Sequence, residues 1–135
     1  MEVTFAMLAR DYALDDRQRP VIKGVFNSAK FASFPVVNAA EFMLVFGMEA
    51  HAEEFGVEVA IRIVQVGPDG VAGGEMLGLA TPGPGVPGVP SVIYEARPIT
   101  ATFPTPGAYE YRIHLDGDLK ASVNLHVTQD APKPA

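Results

Sequence analysis

The sequence predicts an all-β fold, an antiparallel two-sheet sandwich of seven to nine strands that is immunoglobulin-like in general architecture. Apolar residues alternate with polar ones over several segments, and glycine, proline and aspartate separate those segments. No segment keeps a helical apolar period over three turns. Many short strands at this spacing are typical of sandwiches and barrels. A chain of 135 residues is long enough for one such domain with its own core.

The clearest single strand lies within residues 55–66. Its apolar residues share one face and alternate with polar or small residues on the other: Val57, Val59, Ile61 and Ile63. The next four residues, 67–70, read Gly-Pro-Asp-Gly. Proline presets one backbone angle of a turn and glycine accepts a positive φ, so the strand is expected to end in a tight turn here.

The last two strands are predicted to form a hairpin from residues 109–115 and 119–127. A three-residue loop at 116–118, or a bulged equivalent, pairs Leu115 with Leu119 and Ile113 with Ala121, so both apolar rows meet on one face. Tyr109 follows a corner rich in proline and glycine. Tyrosines at such corners pack inward and bond backbone with the hydroxyl, as in other sandwiches.

The remaining strands are expected at residues 3–9, 21–26, 42–48, 75–80 and 91–103. The segment 42–48 is apolar at both alternating positions, which predicts a strand that is central or covered on both faces. Residues 1–129 are predicted to form a single sandwich domain and residues 130–135 a frayed tail. The proline- and glycine-rich segment 81–90 is expected to be an irregular loop.

Composition excludes several functional classes. Sixteen acidic residues against ten basic ones give a net charge of −6, and no basic stripe offers a surface to nucleic acid. The chain has no cysteine, which removes disulfides and thiolate chemistry and suits a reducing compartment. With no signal peptide or membrane span recognisable, a soluble cytoplasmic protein is expected.

Several segments, in this order, resemble a known family. They are Thr-Phe-Ala-Met-Leu-Ala-Arg-Asp-Tyr-Ala at 4–13, Val-Ile-Lys-Gly-Val-Phe at 21–26, Ser-Phe-Pro at 33–35, Phe-Pro at 103–104, Pro-Gly-Ala-Tyr-Glu-Tyr-Arg-Ile at 106–113 and Asp-Gly at 116–117. The chain resembles, over residues 3–128, a family of small uncharacterised bacterial proteins classed as a domain of unknown function. The resemblance implies a bacterial β-sandwich and carries over no activity and no catalytic residue.

The first place to look for a metal is the acidic segment after the 42–48 strand. His51 stands beside Glu49, Glu53 and Glu54, and imidazole with carboxylates suits a divalent ion. The competing interpretation is a solvated loop, since runs of charge are usually solvated. The two later histidines, His114 and His126, share a strand face in the predicted register but lie roughly 20 Å apart. They are therefore too distant to share a metal, whose ligands lie about 2 Å from it.

Other motifs yield no cofactor or catalytic prediction. Residues 83–88 match the dinucleotide pattern G-x-G-x-x-G, but Pro84 and Pro87 lack the N–H groups that a phosphate needs, and no helix follows. The acidic pairs at 15–16 and at 116 and 118 are explained by turn chemistry. The serines lack a nucleophile elbow and a nearby base. We therefore predict no catalytic residue and no cofactor.

Two functional hypotheses follow from these observations. The first is a non-catalytic protein-interaction or self-assembly module, because Met43, Val45 and Val64 place apolar side chains where polar ones are expected. Its partner is another protein or a second copy, with no nucleic acid and no membrane.

The second hypothesis is a small-ligand-binding protein, or an enzyme, whose site is assembled from loops. Its first suspects are His51, Glu53, Arg10 and Asp11. A flat exposed apolar patch would favour the interaction module, whereas a deep pocket with converging polar groups would favour the ligand site.

Overall fold

The computed structural model describes residues 1–84, 86 and 88–130. Within these residues the chain forms ten strands and one short 3-10 helix, Ala52–Glu54. The strands are β1 Glu2–Ala9, β2 Asp11–Leu14, β3 Pro20–Lys23, β4 Ser28–Phe31, β5 Val36–Ala50, β6 Val59–Val66, β7 Ala72–Ala80, β8 Ser91–Phe103, β9 Gly107–Leu115 and β10 Asp118–Gln129. No described segment forms a helix long and apolar enough to cross a bilayer. The prediction of an all-β chain is confirmed.

The strands form a three-stranded sheet in the order β1-β5-β8, a five-stranded sheet in the order β4-β10-β9-β6-β7, and a separate hairpin, β2-β3. The predicted two-sheet, immunoglobulin-like arrangement of seven to nine antiparallel strands is wrong in detail. The hairpin is a third sheet, and β4 runs parallel to β10. Strands β2 and β4 were not predicted, because four residues each are too few to show a convincing alternation.

One hydrophobic core lies between the two larger sheets. Its largest fully buried side chains come from both sheets: Leu8, Leu44, Phe46, Met48, Phe103, Tyr109, Tyr111, Ile61, Ile113, Leu125 and Val127. The predicted inward row of β6 is confirmed at Ile61 and Ile63. Val57, expected in the same row, precedes the strand and is exposed. The hydroxyl of Tyr109 donates to the carbonyl of Thr105 at 2.6 Å, which confirms the predicted corner.

Strand β5 is buried on both faces, as predicted. Leu44 and Phe46 face the core, while Val45, on the opposite face, is also 0% exposed. In the ladder Val45 lies between Met7 of β1 and Ala96 of β8. Strand β2 also contacts β5, which brings the β2-β3 hairpin onto this outer side of the three-stranded sheet. The hairpin therefore forms a partial third layer.

Gly47 allows aromatic rings from both neighbouring strands to lie across β5. Phe5 and Tyr94 both pair with Gly47, and their ring centroids are 6.0 Å apart. A Cβ atom at this glycine would lie 2.5 Å from the Phe5 ring and 2.9 Å from Oγ1 of Thr4. The absence of a side chain here is thus a packing requirement of the outer face.

The β9-β10 hairpin has the bulged alternative of the predicted loop, and the predicted pairing of Leu115 with Leu119 is wrong. Asp116 and Gly117 have φ angles of 48° and 85°, a two-residue turn that pairs Leu115 with Asp118. An irregularity between Leu119 and Ala121 then restores the predicted pairing of Ala121 with Ile113. Aspartate followed by glycine suits a turn with two positive φ angles, and the bulge absorbs the extra residue. Leu119 consequently faces solvent.

The turn after β6 is confirmed, because Gly70 donates from its N–H to the carbonyl of Gly67 at 2.9 Å and has a φ of 80°. The predicted strands at 3–9, 42–48 and 75–80 each lie within a longer observed strand, and the one at 91–103 coincides with β8. The strand predicted at 21–26 is too long, because β3 ends at Lys23, before Gly24 with its φ of 68°. Residues 131–135 of the predicted tail and positions 85 and 87 of the predicted loop lie outside the described residues.

We expect Gly47→Ala to lower the free energy of unfolding by about 1–3 kcal/mol, because the added methyl group overlaps the Phe5 ring. Urea denaturation followed by circular dichroism measures the change. Gly83→Ala is the matched control, since its Cβ would meet no atom within 4 Å. Equal stabilities for the two variants would contradict the packing role of Gly47.

Candidate functional site

A cleft opens at one side of the sandwich, where edge strand β7 of the five-stranded sheet faces edge strand β8 of the three-stranded sheet. Its cavity has a volume of about 800 Å³ and is walled by the Gly67–Val71 turn, the start of β7 and the end of β8. A smaller cavity of about 100 Å³ shares Gln65, Gly74 and Thr100 with it. The opposite side of the sandwich is bridged by Lys120, whose Nζ donates to Oε1 of Glu2 at 3.1 Å.

Gln65 forms the floor of the cleft and joins the two sheets. It is only 7% exposed and is the buried polar residue of the described core. Its Nε2 donates to the carbonyl of Thr102 on β8 at 3.1 Å, and its Oε1 accepts from the hydroxyl of Tyr111 on β9 at 2.9 Å. A buried amide is stable only when such partners are present. The bond to Thr102 joins the two sheets at the cleft, and the bond to Tyr111, within the five-stranded sheet, fixes the orientation of the amide.

The bond from Gln65 also shows which backbone groups of β8 face the cleft. In an antiparallel ladder, alternate residues direct their N–H and C=O groups to the same side. The carbonyl of Thr102 points away from β5, toward Gln65. Pro98 lies four residues earlier, so its backbone groups point the same way, and it lacks the N–H that a bond to β5 would need. The ladder irregularities here add residues to β5 and leave the alternation of β8 intact. Thr100 therefore presents its backbone to the cleft.

Two glycines leave part of the β7 wall of the cleft, opposite β8, without side chains. The register of β7 shifts between its pairings with Val64 and Val66, which places a bulge at Gly73 and Gly74. A Cβ at Gly73 would lie 3.8 Å from Nε2 of Gln65, whereas a Cβ at Gly74 would meet no atom within 4 Å. A glycine pair at a bulge lets another chain approach the backbone closely.

The cleft is nearly uncharged. Among the described residues that line the larger cavity, Asp69 is the one with a formal charge, and its Oδ1 accepts from the N–H of Val71 at 3.1 Å. Glu75 beside the smaller cavity is paired with Arg62, whose Nη2 lies 2.7 Å from the carboxylate. Hydroxyl groups and backbone amides provide the remaining polar surface. This chemistry suits an uncharged ligand that both donates and accepts hydrogen bonds.

Burial raises the pKa of Tyr111, with a smaller contribution from Tyr109. Its phenol therefore stays protonated and acts as the donor to Gln65 throughout the ordinary pH range. The sequence carries one signal for this site, because Gln65 continues the inward row of Ile61 and Ile63. A polar residue in an apolar row needs partners, and those partners lie on two other strands.

The residues suggested as metal ligands do not converge. Nε2 of His51 lies 3.9 Å from Oε1 of Glu49, and Glu53 is exposed on the 3-10 helix. Glu54 accepts from the backbone N–H of His51, not from its ring, at 3.1 Å, and its other oxygen bonds the amino group of Met1. The amino group lowers the pKa of Glu54. The described residues contain no group of three histidine, cysteine or acidic side chains placed to hold a metal.

The two remaining suspects lie far from His51. Arg10 follows β1, whose last residue, Ala9, pairs with Met43, whereas His51 follows the far end of β5. Seven residues of strand separate these ends by about 23 Å. The guanidinium of Arg10 lies 4.7 Å from the centroid of the Phe26 ring, and Asp11 is exposed at the start of β2. These residues therefore do not form one site.

The apolar residues suggested as an interface lie largely inside one copy of the chain. Val45 is fully buried and Met43 is half-buried on the outer side of the three-stranded sheet. Val64 is 6% exposed, between Glu75 and Arg112 in the ladder. Two of the three side chains consequently offer no surface to a partner.

We expect Gln65→Leu to lower the free energy of unfolding by about 1–3 kcal/mol, because it leaves the Tyr111 hydroxyl and the Thr102 carbonyl without their partner. Removing both polar side chains, in Gln65→Leu with Tyr111→Phe, should cost less than the sum of the single changes. Urea unfolding of all four proteins in a double-mutant cycle measures this coupling. Strictly additive losses would show that the two groups do not interact.

Stability should also fall at high pH because of Tyr111. Its folded pKa lies above the ordinary value of 10.0, so above pH 10.0 the unfolded chain releases a proton that the folded chain keeps. The free energy of unfolding therefore decreases as the pH rises past that value and is insensitive to this group below it. The decrease should be smaller in Tyr111→Phe than in the wild type when urea unfolding is measured across this range. Identical pH profiles would contradict the assignment.

Comparison with known proteins agrees with the resemblance found in the sequence. The model of a family of unknown function, DUF6941, matches residues 4–128. No curated protein and no solved structure gives a significant match. The match covers nearly the whole β-sheet framework, including every strand that lines the cleft. The chain therefore belongs to the DUF6941 family.

Proposed function

We propose that this domain is a non-catalytic binding module whose cleft accepts a short, uncharged, extended segment of a partner protein. The observation that carries the proposal is the free edge of β8, which lines the cleft and presents the backbone of Thr100 to it, beside the Thr102 carbonyl that Gln65 holds. An extended peptide adds to such an edge through main-chain hydrogen bonds, and pockets beside the edge select its side chains. We place this activity in the cytoplasm, which the lack of cysteine favours.

The dimensions of the cleft support a peptide. The exposed stretch of edge from Pro98 to Thr102 matches about five residues of an added strand. Alternate side chains of that strand would enter the 800 Å³ cavity, whose walls include Ala101 and Tyr109. The described lining contains no histidine, and its two carboxylates are engaged, Asp69 by the N–H of Val71 and Glu75 by Arg62, which favours binding over acid–base catalysis.

A second candidate is a small uncharged molecule bound at the floor of the same cleft. The volume lies in the range of about 300–1,000 Å³ that small-molecule sites occupy. The amide of Gln65 keeps one N–H and one lone pair beyond its two bonds, so it has hydrogen-bonding capacity left for a ligand. Such a ligand would contact Gln65 at the floor and would not need hydrogen bonds from the edge of β8.

A display selection from random uncharged peptides of about ten residues tests the proposal, followed by fluorescence anisotropy on the selected sequences. Gly74→Leu should weaken binding about tenfold or more, because its side chain projects into open space within the cleft. Gly83→Leu is the control, since it adds the same side chain on a loop that does not line the cleft. Peptides that bind both variants equally would contradict the cleft as the site.

Thr100→Pro separates the two candidates. It removes an N–H that faces the cleft and, like Pro98, leaves the ladder with β5 intact. Peptide binding should weaken, and methylation of alternate backbone nitrogens of the peptide should have the same effect. A neutral fragment that shifts the Gln65 side-chain NMR signals equally in wild type and Thr100→Pro would favour the small-ligand function. Failure of every peptide to bind would reject the peptide proposal.

A further inference from the structure

Strand β7 is an edge strand with an exposed apolar surface. It pairs with β6 on one side only. Leu77 and Leu79, on the outer face of the five-stranded sheet, are 74% and 60% exposed. Exposed leucines at alternate positions of a free edge strand favour its pairing with another chain.

The other edges of the two larger sheets are short or partly covered, and β7 is not. On β8, Pro98 and the inward-turned Arg97 confine the free edge to the short stretch that lines the cleft, and β4 is four residues long with Lys30 near its centre. Edge strand β1 contacts β10. The β7 sequence Ala-Gly-Gly-Glu-Met-Leu-Gly-Leu-Ala contains no proline and no lysine. Its one charge, Glu75, is neutralised by Arg62. Proline, lysine and short length are the usual protections of an edge.

The pattern of β7 is self-complementary about Gly78. When two copies run antiparallel around this residue, Leu77 of one lies opposite Leu79 of the other, and Met76 lies opposite Ala80. Glu75 lies opposite Thr81, so no like charges meet even though each chain has a net charge of −6. A register centred on Leu77 would instead place Glu75 against Leu79. Of these two registers, the one centred on Gly78 sets apolar residues opposite each other and leaves Glu75 opposite a hydroxyl.

We infer that β7 pairs with β7 of a second copy in an antiparallel, twofold-symmetric contact centred on Gly78, joining the two five-stranded sheets into one. The contact extends over residues 75–81 of each copy. The bulge at Gly73 and Gly74 interrupts the ladder before it reaches the cleft. Self-association is thus independent of peptide binding, and either can hold without the other.

Sedimentation velocity from about 1 µM to about 200 µM tests the contact, because a dimer in equilibrium depends on concentration. The wild type should shift from monomer to dimer. Leu77→Lys should weaken the dimer by about a hundredfold, since it sets a charge against Leu79 of the second copy. Leu119→Lys is the matched control: Leu119 is 55% exposed, yet it lies on β10 away from this edge. Its dimer should equal that of the wild type.

Two results would overturn the inference. A wild type that stays monomeric over the whole concentration range leaves β7 to a different protein, and a dimer that Leu77→Lys does not weaken lies elsewhere on the surface. Cross-linking decides the register, because the chain has no cysteine of its own. Leu77→Cys combined with Leu79→Cys should form an intermolecular disulfide under mild oxidation. Efficient cross-linking of Leu77→Cys alone would overturn the register centred on Gly78.

Discussion

Central strand β5 carries apolar side chains on both faces, and burying both of them requires more than one packed layer. The core face, with Leu44 and Phe46, packs against the five-stranded sheet. The other face, with Val45, is covered by the neighbouring side chains of its own sheet and by the β2-β3 hairpin. Because β5 is central, β1 and β8 become the edges of its sheet. The position of the cleft follows from this arrangement, since β8 is one of its walls.

The outer face of the three-stranded sheet shows how tightly that cover is fitted. The rings of Phe5 and Tyr94 meet across Gly47, and neither could lie there over a larger residue. Tyr12 of the hairpin reaches the same region. Partial burial, followed by the nearby charge of Glu95, raises its pKa. The third layer is therefore built from aromatic side chains more than from continuous sheet.

Gln65 determines the polarity and geometry of the cleft between the edges of β7 and β8. An apolar residue at this position could form neither of its two hydrogen bonds. The amide instead holds the carbonyl of Thr102 and the phenol of Tyr111 at hydrogen-bonding distance. A buried polar group of this kind fixes geometry because leaving any of its partners unsatisfied costs free energy. The same bond also marks the free edge of β8, on which the proposed peptide binding depends.

The sequence by itself determined the features that depend on neighbouring residues. The all-β class, the inward row of β6, the turn at 67–70 and the corner at Tyr109 all follow from alternation and turn chemistry. The β9-β10 register was predicted correctly at Ile113, because facing apolar rows require it, but the sequence left open whether a longer loop or a bulge provides it.

Only the tertiary structure decided which strands became neighbours and which edges stayed free. The parallel pairing of β4 with β10 and the placement of the hairpin join segments far apart in the chain. The candidate site has the same origin, because Gln65 and Thr102 are separated by 37 positions and meet only when the sheets pack. Alternation along one strand reports which face is buried. It contains no information on what that face is buried against. The residues suspected from the sequence as metal ligands or interface therefore do not form one site, whereas Gln65, Thr100 and Gly74, on three strands, line one cleft.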